Sequence, residues 1–398
     1  MLSGTPSLIP MDFDWRTRTA ADVAEVDFAE FHATTVPALL ERNGDLASRA
    51  FRASGLRSIT LAQGADAWTW DLDDGALRVQ AGDSGSGARA DLDTEWFSDL
   101  VNDVRSTVAL MISGEPVMAR GGIVRLIAFE PVLRALLDAR PAYEPGLVDF
   151  TDSDGAPLEL GRTFRLDDDP AEIRRFLSQA GFLHFRGVFL TAEMAELSAE
   201  IDRWRSAMTP EDDRAWYAAV GDEQVCVRVT NLSKGDIEFP HEQRLSPIAG
   251  ILGAGQTYAS TDLLVKPVGV TEGISDLPWH KDCSLGLHSY NCPSMTCGVS
   301  VTASGPDNGQ LGVVAGSHRV NLPLFDVADD VELPMLWLTT EPGDVTVHLS
   351  CTMHCATPPV HSERRVTYSA LRFPGDAELA ARIKAVRDQA GRETYAPA

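Results

Sequence analysis

The spacing of apolar side chains divides the chain into two differently patterned stretches. From Ala21 to Leu40 apolar residues recur at helical intervals, and "DTEWFSDLVNDV" sets Phe97, Leu100, Val101 and Val104 on one helical face. Between them, "AWTWDLDDGALRVQAG" alternates around Asp73-Asp74-Gly75, a hairpin signal. "STVALMISGEPVMARGG" has strand-like content, and "VRLIAFEPVLRALL" predicts one or two closing amphipathic helices. An α+β module of moderate size is expected here.

The stretch Ala139–Gly161 holds three prolines, three glycines and no helical period, so it reads as a linker. Beyond it a helix is well signalled. Asp169 can cap, Pro170 suits the first turn, Gly181 suits the position after the last turn, and Ile173, Phe176, Leu177 and Ala180 form one apolar face. "FLHFRGVF" predicts a strand, and "TAEMAELSAEIDRWRSA" a second helix with Met194, Leu197, Ile201 and Trp204 on one side. From Ala259 onward the pattern becomes short strands separated by Gly, Pro, Asn and Asp, as in a β-sandwich or jelly-roll barrel with helices packed outside. The expected division is 1–145 (α+β domain), 146–161 (linker) and 162–398 (barrel). A chain of 398 residues exceeds what one core usually serves, which agrees with two domains.

Composition narrows the function classes. The chain is 44% hydrophobic and 23% charged, ordinary for a globular protein, and no apolar run of about 18 residues predicts a membrane span. A net charge of −24 repels nucleic acid and anionic membrane surfaces. The N-terminus lacks a basic segment followed by an apolar one, so a cytoplasmic protein is expected. The Arg, Ala, Gly and Asp bias is that of a GC-rich bacterial genome. No C-x-x-C pair occurs among the six cysteines, which are expected to be small buried residues, although Cys283, Cys351 and Cys355 lie near candidate ligands in sequence.

The candidate chemistry sits in "LPWHKDCSLGLH", Leu277 to His288. Read as a strand end, "WHKDC" puts His280 and Asp282 on one face with Lys281 directed away. A facial iron site needs a second imidazole brought from afar, and the candidate is His354. Val345, Val347 and Leu349 alternate with Thr346, His348 and Ser350, which predicts a strand leading toward it. Eleven residues past His354 stands Arg365, which shares a strand face with Thr367 and Ser369. A guanidinium beside hydroxyls can grip a dicarboxylate.

The set His280, Asp282, His354 and Arg365, with "DNGQLGVVAGSHR" and the entry "AEIRRFLSQAGFLHFRGVFLTAEMAEL", resembles the phytanoyl-CoA dioxygenase (PhyH) family over roughly Arg162 to Phe373. The resemblance implies a double-stranded β-helix that binds Fe(II) through His280, Asp282 and His354. It implies 2-oxoglutarate at Arg365 and Thr367, with Lys266 nearby, and O2 as oxidant. Its spacing prefers His354 over His348 and Arg365 over Arg364. Substrate contacts are expected from Trp279, Trp216 and Asn231. The implied reaction hydroxylates a C–H bond and releases succinate and CO2; the same site in relatives also supports desaturation, cyclisation, epimerisation or endoperoxide formation. The retained carboxylate at Asp282 argues against halogenation. His318 is expected to bond a turn, while His241, His288 and His361 carry no signal beyond surface or loop roles.

The order of segments from Ala21 to Arg140 resembles the sterol-carrier-protein-2 (SCP2) family. That resemblance implies a sheet with helices on one face around an apolar tunnel for acyl chains or sterols. In the other reading the interior is filled, and the module supports its neighbour or makes a homodimer. A lipid-, terpenoid- or polyketide-like hydrophobic small molecule of secondary metabolism is the expected substrate. The competing readings are a lipid carrier with an inactive barrel and a cupin-like isomerase or hydrolase.

Overall fold

Asp27 caps the first helix by accepting a hydrogen bond from the Glu30 amide (2.7 Å). Short α1 (Phe28–Glu30) runs through a π-turn, Phe31–Thr35, into α2 (Val36–Ala53). There follow β1 (Ser58–Gln63), β2 (Asp66–Asp73), β3 (Ala76–Ala81), β4 (Ala88–Asp91), α3 (Thr94–Val101), α4 (Thr107–Ile112), β5 (Val117–Arg120) and α5 (Val124–Asp138). The computed structural model describes residues 23–112, 117–251, 256–273, 277–285, 294–322, 331–372 and 381. His288 and Cys292 lie outside them.

The front hairpin forms where the alternation predicts it. Asp74 and Gly75 both take positive φ (49° and 81°), the two-residue turn whose twist matches the strands it joins. The sheet order is β3-β2-β1-β4-β5, with β1 and β4 parallel and the other pairs antiparallel. Helices α2 and α5 pack on each other and on this sheet. Phe51, Trp70, Phe97 and Phe129 fill the space between, each with no exposed surface. A single helix, α5, takes the place of the one or two expected, with Pro131 inside it.

Residues 139–169 form no helix, yet the expected linker adheres to the rest of the chain. Tyr143 N donates to Asn321 O (3.2 Å), and Arg319 Nη1 to Asp149 O (2.8 Å). Val148 and Phe150 press against Gly316, where a Cβ would come within 2.9 Å of both.

The second half begins with α6 (Pro170–Ala180), capped by Asp169 and stopped by Gly181 at φ 83°, as the sequence predicts. Then come β6 (Phe182–Phe185), α7 (Thr191–Ala207), β7 (Ala215–Val220), β8 (Glu223–Leu232), α8 (His241–Ala249), β9 (Thr257–Lys266), β10 (Val270–Glu272) and β11 (Leu277–His280). After a 3-10 turn at Asp282–Leu285 follow β12 (Met295–Ser300), β13 (Leu311–Val314), β14 (Met335–Leu338), β15 (Val345–Leu349), β16 (His354–Ala356) and β17 (Arg364–Arg372). The strands start earlier than Ala259, because "AWYAAV" and "EQVCVRVTNL" pair as a hairpin through Gly221. They build an eight-stranded sheet, β10-β7-β8-β9-β17-β12-β15-β6, and a four-stranded one, β11-β16-β13-β14. All strand pairings described within both sheets are antiparallel, the jelly-roll pattern. The core joins the inner strands to α6 and α7 through Phe176, Leu177, Leu197, Val299, Val347 and Leu349.

Candidate metal centre

Strands β11 and β16 are hydrogen-bonded neighbours, and in their register His280 sits directly opposite His354. Pairing therefore brings together two imidazoles 74 positions apart, with ring centroids 4.2 Å apart. Asp282 joins them by a different route from the one its spacing suggests. Strand β11 ends at His280, and Asp282 opens the 3-10 turn, so the turn rather than strand alternation aims its carboxylate. Asp282 Oδ1 lies 3.6 Å from His280 Nε2 and 3.5 Å from His354 Nε2. One ligand atom from each of the three residues falls within 4.8 Å of the others.

The remaining atoms of these side chains are held. His280 Nδ1 contacts Pro278 O (2.7 Å) and His354 Nδ1 contacts Thr352 O (2.9 Å), so each Nδ1 carries the proton and donates it to a carbonyl. This tautomer leaves both Nε2 lone pairs directed toward Asp282, the arrangement that a metal-ligating histidine needs. On Asp282, Oδ2 accepts from Thr296 Oγ1 (2.9 Å) and from His348 Nε2 (3.3 Å), leaving Oδ1 for an ion. Burial acts to raise the Asp282 pKa. The imidazoles of His354, His280 and His348 gathered around the carboxyl outweigh it and hold it well below its usual range. Ligands about 2.1 Å from an ion stand roughly 3 Å apart when adjacent. The observed separations need to close by only about half an ångström around a metal. The donor set, two imidazoles and one carboxylate, fits ferrous iron with open positions.

The Gly-Ser-His turn fastens both ligand-bearing segments. Lys281, fully buried, donates from Nζ to Ser317 O (3.1 Å), and Ser317 Oγ accepts from the Met353 amide (2.8 Å). One serine thus touches the residue between His280 and Asp282 and the residue before His354. His318 has the structural role expected of it: Nε2 donates to Ser178 O (3.0 Å), and burial pushes its pKa down to about 3.

Several expected site residues lie elsewhere. Arg365 points outward to α7, where Nη1 meets Asp202 Oδ2 (2.9 Å) and Ser198 Oγ (2.8 Å) while Nε meets Glu363 (2.7 Å). Thr367 shares that outer face and bonds His241 Nε2 (2.9 Å). His241 is therefore a buried core residue, not a surface one, with its pKa pushed down to about 4 by burial. The inner face of β17 is fixed through its neighbour β12. Thr296 and Gly298 share a face, Thr296 reaches Asp282, and Gly298 pairs with Tyr368. Tyr368 lies four residues from Arg364, so Arg364 faces the metal side. Its Nη1 donates to Gly309 O (2.7 Å) and its Nη2 to Tyr368 OH (3.3 Å). Lys266 is its cross-strand partner, also buried, with Nζ 2.8 Å from Thr357 O.

Trp279 turns away from the ligands. It packs with Val314, Leu322 and Met353, and its ring lies 5.9 Å from Trp337. Trp216 is on the inner side of the large sheet: it pairs with Arg228, whose guanidinium lies 4.6 Å from the Trp216 ring centre. Arg228 in turn bonds Asp262 (2.5 Å), the cross-strand partner of Tyr368. Asn231 is exposed at a bulge, at φ 57°, its amide held by Asp262 Oδ1 (2.8 Å). The five described cysteines are in no disulfide, are all buried, and do not belong to the candidate ligand set.

Residues 177–366 match the phytanoyl-CoA dioxygenase (PhyH) family, whose enzymes use Fe(II), 2-oxoglutarate and O2. A comparison with curated proteins finds no match. Among solved structures, AviO1 from Streptomyces viridochromogenes Tue57 is similar at 25% identity, covering 52% of this chain and 96% of that one, with TM-score 0.41. The apoform of EctD from S. alaskensis is similar at 18% identity, covering 54% and 81%, with TM-score 0.44. The non-heme alpha-ketoglutarate-dependent carbocyclase SnoK from nogalamycin biosynthesis is similar at 21% identity, covering 55% and 93%, with TM-score 0.44.

Proposed function

We propose that this chain, whose residues 177–366 make a PhyH-type domain of the non-heme Fe(II)- and 2-oxoglutarate-dependent oxygenases, hydroxylates a C–H bond of a small molecule and forms succinate and CO2. The observation that carries this reading is the convergence of His280 Nε2, Asp282 Oδ1 and His354 Nε2, with both Nδ1 atoms already committed to backbone carbonyls. Bound there, iron would supply the activation of O2 that the oxidation needs, with 2-oxoglutarate as co-substrate.

The protein's own contributions follow from geometry. Thr296 and His348 hold the outer oxygen of Asp282, so the carboxylate keeps one orientation. Arg364 and Lys266, side by side on the inner face with the Tyr368 hydroxyl, form the cationic seat we assign to the distal carboxylate of 2-oxoglutarate. A planar guanidinium grips such a group bidentately, and a buried ammonium adds charge. Trp216, Arg228 and Asp262 continue this inner face, which supports a substrate that combines a flat or apolar body with polar groups. The five-stranded sheet with α2 and α5 packed on it supports an SCP2-like reading of the N-terminal module. Its aromatic interior favours the supporting role over the carrying one.

The test is purified protein with Fe(II), ascorbate and 2-oxoglutarate, followed for succinate. Slow succinate formation without substrate is expected, and His354→Ala should abolish it. An absence of both succinate and iron retention in the parent protein would overturn the reading.

A further inference from the structure

Helix α4 of the N-terminal module packs against the 3-10 turn Asp282–Leu285. That turn, and not a strand, presents the metal-binding carboxylate, so whatever supports the turn sets where Asp282 points. The start of α4 is held from α5. Glu130, 1% exposed, accepts through Oε2 from the Thr107 amide (2.7 Å) and from the Thr107 hydroxyl. A second tie lies one residue further along α5, where Asn321 Nδ2 donates to Pro131 O (2.7 Å). Asn321 follows the Gly-Ser-His turn that grips Lys281 and Met353. Glu130 therefore stands between two attachments of the N-terminal module to the segments that carry the ligands.

The local chemistry is that of a strut. A carboxylate is costly to bury, and burial pushes the pKa of Glu130 up. Two donors from one threonine offset part of that cost and fix α4 relative to α5. An apolar residue would pack this interior equally well if filling space were its only purpose.

We infer that Glu130 is a positioning residue for the iron site: it fastens α4, and α4 sets the turn that aims Asp282. The N-terminal module is then part of the catalytic architecture. This rests on the iron reading proposed above and deepens it.

The test compares full-length Glu130→Met, which removes both acceptors, with Glu130→Gln, which keeps an acceptor for Thr107. Fe(II) affinity is measured by anaerobic titration, alongside the melting temperature. Glu130→Met should weaken Fe(II) binding roughly tenfold or more, as loss of an outer-shell partner typically does, while Glu130→Gln should stay near the parent. Should Glu130→Met fail to fold, Thr107→Val, which removes one of the two donors, should weaken iron binding in the same direction, and Thr107→Ser should not. A lower melting temperature with Fe(II) affinity unchanged in Glu130→Met and Thr107→Val would overturn the inference and leave the oxygenase reading standing. A parent protein that binds no Fe(II) would overturn both.

Discussion

His348 Nε2 lies 3.3 Å from Asp282 Oδ2, on the carboxylate oxygen opposite the one that faces His280 and His354. This imidazole belongs to β15 in the large sheet, whereas His280 and His354 belong to the small one. It reaches the site from across the barrel and holds the carboxylate instead of the ion. His348→Phe should therefore keep iron binding but weaken it by roughly 10- to 100-fold, while His354→Ala should lose it. Anaerobic Fe(II) titration of the two variants checks this, and equal loss in both would make His348 a ligand.

The two adjacent arginines at the start of β17 should separate cleanly. Arg364→Met removes a buried charged donor from the inner face and should raise the KM for 2-oxoglutarate by roughly tenfold or more, the worth of a hydrogen bond to a charged group. Arg365→Met loses partly exposed ion pairs with Asp202 and Glu363, worth about 1 kcal/mol or less. It should leave that KM unchanged. Succinate kinetics at varied 2-oxoglutarate distinguish the two, and the reverse result would return the co-substrate to Arg365.

Stability should fall on mild acidification. Burial holds His32 and His241 down to about 4 and His318 down to about 3, against an ordinary 6.5. Each imidazole is neutral in the fold but takes up a proton in the unfolded chain below 6.5. The stabilisation is thus complete above that value and is lost as the pH falls toward about 4. At pH 5 each such histidine costs on the order of 2 kcal/mol. Denaturant unfolding at pH 7.5 and pH 5 should show the drop. His241→Gln, which preserves a partner for Thr367, should shrink it.

Gly181 ends α6 at φ 83°, and a Cβ there would fall 2.4 Å from His318 Nδ1 and 2.5 Å from Thr352 Oγ1. Its carbonyl also accepts from Thr352 Oγ1 (2.8 Å), and Thr352 O orients His354. Gly181→Ala should lower stability by roughly 1–3 kcal/mol through strain and weaken Fe(II) binding as well. Thermal melts with and without Fe(II) report both effects, and an unchanged iron-induced shift would confine the damage to the helix end.

Much of the architecture was legible because it is local. The Asp74-Gly75 turn, the Asp169 cap and the Gly181 stop each need only a few neighbouring residues. The candidate set His280, Asp282 and His354 was equally visible, since few residue types bind ferrous iron. Phase was not visible. An eleven-residue count from His354 to Arg365 runs through the irregular stretch 357–363, where strand alternation is lost, so it cannot say which arginine faces inward. The same loss of phase after His280 hides how Asp282 is aimed. His348, weighed only as a rival ligand, and Thr296 could not be seen to hold Asp282 together, because they meet only when β12 and β15 pair. The polar row from Tyr368 to Trp216 likewise exists only in the register of four strands.

The segment after α5 is stitched to the barrel through Tyr143, Asp149 and Phe150. A tethered carrier must swing to deliver cargo, and this attachment denies it the slack. Anything held by the front half would have to travel along a fixed path. Exchanging that half for another protein's would disturb catalysis even where the barrel was copied unchanged.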